Sequence, residues 1–127
     1  MLMMSREKIY QVSGYVRDNE SHGLPGLRVE IWDKDILFDD PLGAAVTDSN
    51  GYFSISLYEE RDKRKLIDRR PDIFFKVRKG KLVTDKLIRD TSNDVLKNVE
   101  PGTIELKKPI IVDFTDEQDT NSKNKNI

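Results

Sequence analysis

Three stretches decide the fold: Val12-Ser13-Gly14-Tyr15-Val16-Arg17-Asp18, Gly23-Leu24-Pro25-Gly26-Leu27-Arg28-Val29-Glu30 and Thr47-Asp48-Ser49-Asn50-Gly51-Tyr52-Phe53. In the first, Val12, Gly14 and Val16 alternate with Ser13, Tyr15 and Arg17, which is the two-residue period of a strand with one buried face. In the second, Pro25-Gly26 forces a turn and Leu27, Val29 and Ile31 return to the interior, with Arg28, Glu30 and Trp32 facing outward. In the third, Asp48 and Gly51 are the first and fourth residues of a type I turn, which feeds Phe53, Ile55 and Leu57 inward.

The same period continues outward from these stretches. Gly43 to Thr47 reads as a short, small-sided strand. Ile73, Phe75 and Val77 alternate with Phe74, Lys76 and Arg78, and Leu82 to Ile88 reads as their hairpin partner across a tight Lys79-Gly80 turn. Ile104 and Leu106, then Ile110 and Val112 beyond Pro109, complete seven or eight short strands. Such strands with turns every ten or so residues predict an antiparallel β-sandwich or barrel. Tyr58 to Arg70 is highly charged with almost no apolar face, and predicts a long connection with one helical turn. Thr91 to Val99 reads as a loop or short helical turn. The expected organisation is one domain over 8–114, an N-terminal extension over 1–7 and a disordered tail over 115–127.

These motifs resemble the transthyretin-like, or carboxypeptidase regulatory-like, domains, whose signature runs "G-x-V-x-D … G-x-P-G-x-x-V … T-D-x-x-G-x-F". The resemblance covers about residues 10–57, and Pro71 to Val77 is similar as well. It implies an all-β, seven- or eight-stranded antiparallel Greek-key sandwich of transthyretin-like (prealbumin-like) type. It also implies an accessory or assembly role, since this domain recurs in many settings. Two enzyme groups resemble parts of the chain. Hydroxyisourate hydrolases of this fold use several histidines and a C-terminal Tyr-Arg-Gly-Ser, whereas this sequence has one histidine and ends Asn-Lys-Asn-Ile. Intradiol dioxygenases resemble Leu27 to Asp33, yet hold iron with two tyrosines and two histidines. On this counting the chain is expected not to be an enzyme.

Composition narrows the field further. The chain has 127 residues, with 22 Lys+Arg against 23 Asp+Glu. The net charge of -1 leaves no surplus of cations for a phosphate backbone, so nucleic acid is not an expected partner. Cysteine is absent, which removes disulfides, thiolate metal sites and a thiol nucleophile. The lone His22 sits in a turn, is expected exposed, and has no serine and aspartate arranged around it. The start shows no secretory signal, and no run approaches the roughly 20 apolar residues of a membrane span. A cytoplasmic protein without membrane insertion is expected.

Two local features stand out. Asp33-Lys34-Asp35-Ile36-Leu37-Phe38-Asp39-Asp40-Pro41-Leu42-Gly43 places four carboxylates, Asp33, Asp35, Asp39 and Asp40, within eight residues. Ca²⁺ takes roughly 6–8 oxygen ligands from flexible loops, so these four are the candidate metal ligands. The loop also resembles the "D-x-D … D-D-x-x-G" loop of calcium-dependent membrane-binding domains of the synaptotagmin kind. The competing reading is that the aspartates make turns while Ile36, Leu37 and Phe38 plug the sandwich end. Asp48 and Asn50 join a metal site only if their turn lies at the same end. The second feature is a basic stretch, Phe74 to Arg89, with six cations and one acid. Trp32, Phe74, Lys76 and Arg78 share an outward face there and are the candidate partner-binding residues. The competing reading is a solvated face that discourages edge-to-edge pairing.

The expectation is therefore a non-enzymatic interaction or accessory module that binds a protein or carbohydrate partner through end loops and a sheet edge, with no resident cofactor. Its alternatives are a Ca²⁺-responsive module centred on the acidic loop and a divergent small-molecule carrier of the transthyretin kind.

Overall fold

Alternation of apolar and polar residues produces eight strands in a computed structural model that describes residues 7–35, 37–58 and 70–113. They are β1 (Lys8–Arg17), β2 (Arg28–Asp33), β3 (Asp40–Val46), β4 (Tyr52–Tyr58), β5 (Ile73–Arg78), β6 (Leu87–Asp90), β7 (Gly102–Glu105) and β8 (Ile110–Ile111). No helix occurs among the described residues. One sheet runs β4-β1-β7, with β8 also paired to β1, and the other runs β3-β2-β5-β6. The protein is an all-β sandwich.

The inward set is the one the alternation predicts. Val12 and Val16 of β1, Phe53, Ile55 and Leu57 of β4, Val29 and Ile31 of β2, and Phe75 and Val77 of β5 form a single buried cluster. Phe53 and Phe75 meet edge to face across it, with ring centroids 6.0 Å apart. Each such side chain contributes about 1.5–3 kcal/mol when removed from water.

The three motif stretches converge at one end of the sandwich. Val16 N–H donates to the Gly51 carbonyl at 2.8 Å, and Leu24 N–H to the Val16 carbonyl at 2.9 Å. Buried Thr47 joins the other two: its Oγ1 donates to the Leu24 carbonyl at 2.6 Å and accepts Leu27 N–H at 3.0 Å. The crossing is so close that a Cβ at Gly23 would collide with the Asn50 carbonyl. Gly51 meets the same crowding at φ +79, a conformation only glycine adopts without strain.

Several expectations need correction. The sandwich is not antiparallel throughout, because β1 pairs in parallel with β7 (Tyr10↔Gly102) and with β8 (Val16↔Ile110). The final chain segment crosses over and returns along β1 in the same direction. Lys79-Gly80 is not a tight hairpin turn, and β6 starts at Leu87 instead of Leu82. Asp85 organises a larger loop: its Oδ2 accepts Leu82 N–H at 2.8 Å, and Lys79 N–H closes the loop on the Lys86 carbonyl. β3 begins at Asp40, so that residue lies in a strand and not in the acidic loop. Thr91 to Val99 is a loop pinned by an isolated bridge between Ile73 and Leu96. Of the connection 58–70 expected to hold a helical turn, residues 59–69 lie outside the described residues, as do residues 1–6 of the extension 1–7 and the whole tail 115–127.

Candidate functional site

The outward face of the second sheet is built by β2 and β5, whose register sets Arg28 opposite Arg78, Glu30 opposite Lys76 and Trp32 opposite Phe74. The four sequence candidates Trp32, Phe74, Lys76 and Arg78 thus come together as expected, but they hold one another. Trp32 and Phe74 stack with centroids 6.4 Å apart, and Lys76 Nζ lies 3.8 Å from the centre of the Trp32 ring. Phe74 is only 1% exposed.

At the centre lies a carboxylate that sequence reading passed over. Glu30 is 3% exposed; its Oε2 accepts Arg28 Nε at 2.8 Å and Arg78 Nε at 3.0 Å, and its Oε1 accepts Trp32 Nε1 at 3.0 Å. Burial pushes its pKa up, but the hydrogen bonds from Arg78, Arg28 and Trp32 outweigh it and hold the carboxyl below its ordinary value of 4.5. The face is a locked network with the tryptophan as its half-exposed lid. Its only advance signal was an acid between two arginines that register brings together.

The acidic loop does not assemble a ligand set. Asp33 is buried and accepts Asp72 N–H at 3.2 Å. Asp39 accepts Asp35 N–H at 3.0 Å and faces Lys34 Nζ at 3.6 Å. Among the described residues, no group of three or more histidine, aspartate or glutamate side chains is placed to hold a metal ion. Asp48 and Asn50 lie at the opposite end of β3 from this loop, so they cannot join it. Leu37 and Phe38 do not plug the sandwich: they are 81% and 77% exposed.

His22 is exposed at the motif end, with Nδ1 3.2 Å from Asp18 Oδ2. The His22 backbone N–H, donated to Asp18 Oδ1 at 2.9 Å, leads the interactions that lower the Asp18 pKa. This is turn chemistry.

The face that sequence reading missed belongs to the first sheet. Pairing of β1 with β4 and β7 sets Tyr15 beside Tyr52, Ser13 between Ser54 and Glu105, and Gln11 between Ser56 and Thr103. Ser56 Oγ donates to Gln11 Oε1 at 2.8 Å, and Gln11 Nε2 donates to Ser54 Oγ. The rings of Tyr15 and Tyr52 meet edge to face at 5.3 Å, and the Arg17 guanidinium lies 4.8 Å from the Tyr15 ring centre. Tyr15, Tyr52 and Tyr58 are each more than a third exposed. The signal was present in the outward half of the alternation that identified Val12 and Val16 as core.

No protein family and no curated protein matches the sequence. Among solved structures, a 9R-lipoxygenase from Cyanothece PCC8801 is similar at a TM-score of 0.57 and 20% identity, over 84% of this chain and 16% of that one. A catechol 1,2-dioxygenase from Acinetobacter sp. ADP1 aligns over 84% of this chain and 43% of its own, at 16% identity and a TM-score of 0.35. The chain therefore spans a small part of the first and less than half of the second. The first likeness bears on the fold alone, and the second is too loose to add to it. A sandwich similar to this one is part of an enzyme chain, so the expectation that the chain is not an enzyme does not stand. Counting histidines rejects two particular chemistries; it does not separate this sandwich from catalytic chains, since a similar one forms part of a lipoxygenase. No described helix is long and apolar enough to cross a membrane.

Proposed function

We propose that the chain is a transthyretin-like accessory domain that binds a carbohydrate chain across the outward face of its first sheet. The observation that carries this reading is the composition of that face: exposed Tyr15, Tyr52 and Tyr58 interleaved with Ser54, Ser56, Gln11 and Thr103. Exposed tyrosines offer flat apolar rings with a polar tip, suited to the apolar faces of sugar rings. Hydroxyl and amide groups beside them match sugar hydroxyls in both donor and acceptor roles. The transthyretin-like assignment draws on the three motif stretches, which meet and hydrogen-bond at one end of the sandwich. The second sheet is a poorer candidate, because Glu30 and Phe74 are already enclosed by their neighbours.

The test is retention of the protein on insoluble polysaccharides and on a glycan array. The wild type is expected to bind a defined class of glycan, and Tyr15→Ala with Tyr52→Ala to abolish binding at an unchanged far-ultraviolet spectrum. Equal retention of the wild type and the double variant would reject the tyrosine face as the site.

A further inference from the structure

The ends of a sheet expose unpaired backbone N–H and C=O groups, and proteins blunt them with charge, proline, bulges or short strands. In this sandwich β3, β6 and the β7–β8 pair are all blunted. β3 carries Asp40, Pro41 and a register shift opposite Ile31 and Trp32. β6 has four residues, including Arg89 and Asp90. β7 and β8 are short and separated by a segment containing Lys107-Lys108-Pro109. The remaining end strand, β4, is seven residues long and contains no charge, proline or glycine. It pairs with β1 on one side; on the other, the turn before it closes on Tyr52, whose C=O accepts Asp48 N–H at 2.9 Å and whose N–H donates to Asp48 Oδ1 at 3.0 Å, and no described strand is hydrogen-bonded to the rest of that side.

The β4 sequence is also symmetric. Tyr52-Phe53-Ser54-Ile55-Ser56-Leu57-Tyr58 has the same pattern in both directions about Ile55: tyrosine, large apolar, serine, isoleucine, serine, large apolar, tyrosine. An isologous interface needs such self-complementarity. If two copies of β4 run antiparallel about a twofold axis at Ile55, Ser54 faces Ser56 of the second copy on the outward side, with the pairing ending short of Tyr52, which Asp48 holds. Phe53 then faces Leu57 on the inward side. A one-residue slip would set outward polar residues against inward apolar ones.

We infer that β4 is a self-association edge, pairing antiparallel with β4 of a second copy and joining two first sheets into one continuous sheet. This does not depend on carbohydrate binding, since it rests on a backbone edge and not on the tyrosine face.

The test is sedimentation equilibrium of the full chain over a concentration series. A reversible dimer is expected. Ser54→Lys, which sets two lysines diagonally across the axis, should weaken association about tenfold or more without lowering the thermal midpoint. Mixing Ser54→Lys with Ser54→Glu should restore association, which a merely misfolded variant would not do. Because the chain has no cysteine, register can be read directly: Ser54→Cys mixed with Ser56→Cys should form disulfide dimers faster than either variant alone. A monomer at all concentrations, a dimer indifferent to the Ser54 charge, or equal cross-linking of the single variants would each overturn the proposal.

Discussion

Thr47 shows how one hydroxyl holds two loops together. It is buried, donates to Leu24 and accepts from Leu27, so Thr47→Val preserves shape but leaves a part-buried carbonyl and a buried N–H without their partner. The expected loss is about 1–3 kcal/mol, read from urea unfolding; a change within error would mean that the loops are held by their backbone bonds alone. Glu30 makes a pH-dependent prediction. Its folded pKa is depressed, so its contribution is present above the ordinary value of 4.5 and is lost as pH falls through the folded value. Glu30→Gln should cost about 1.5–3 kcal/mol at neutral pH, since both arginines retain partial access to water. It should also flatten the fall in stability below pH 4.5, whereas an unchanged acid limb would place the titrating carboxylates elsewhere.

At the scale of elements, the acidic loop between β2 and β3 makes a plain prediction. Asp33 is committed to Asp72 and Asp39 to Asp35 and Lys34, so binding a cation would require breaking these contacts. The thermal midpoint of chelator-stripped protein should be the same in millimolar Ca²⁺ and Mg²⁺, because only binding to the folded state raises it. A Ca²⁺-specific rise would show that the loop rearranges into a site. The same comparison of elements explains what was legible in the sequence. Val12, Val29, Ile55 and Val77 were readable as core because a strand with one buried face imposes a period of two, and local turn chemistry located Pro25-Gly26 and Asp48 to Gly51. The extent of β6 was not readable, because Asp85 folds Leu82 and Val83 into a loop through contacts that no alternation encodes. For the site, outward placement of Trp32, Phe74, Lys76 and Arg78 was legible. Their enclosure around Glu30 was not, because it depends on which strands become neighbours.

At the scale of the whole molecule, chain order and spatial order conflict at β1. This first strand is central in its sheet, yet its partners β7 and β8 arrive about ninety residues later, as the Tyr10↔Gly102 and Val16↔Ile110 pairs record. Closing so long a loop costs entropy before any contact repays it, and sandwiches dominated by such pairings fold in milliseconds to seconds. The β2–β3 and β3–β4 connections are short, so β2, β3 and β4 can assemble first, with β8 docking last onto an edge already formed. Ile110 reports on that final step, since it is buried against the core but belongs to a two-residue strand. Ile110→Ala should destabilise the protein by about 2–5 kcal/mol. If β8 docks after the transition state, nearly all of that loss will appear as faster unfolding, with little change in the folding rate. Stopped-flow chevrons of the wild type and Ile110→Ala measure the division directly. A slowed folding limb would place β8 in the folding nucleus and make the parallel crossover, not the motif end, the event that commits the chain to its sandwich.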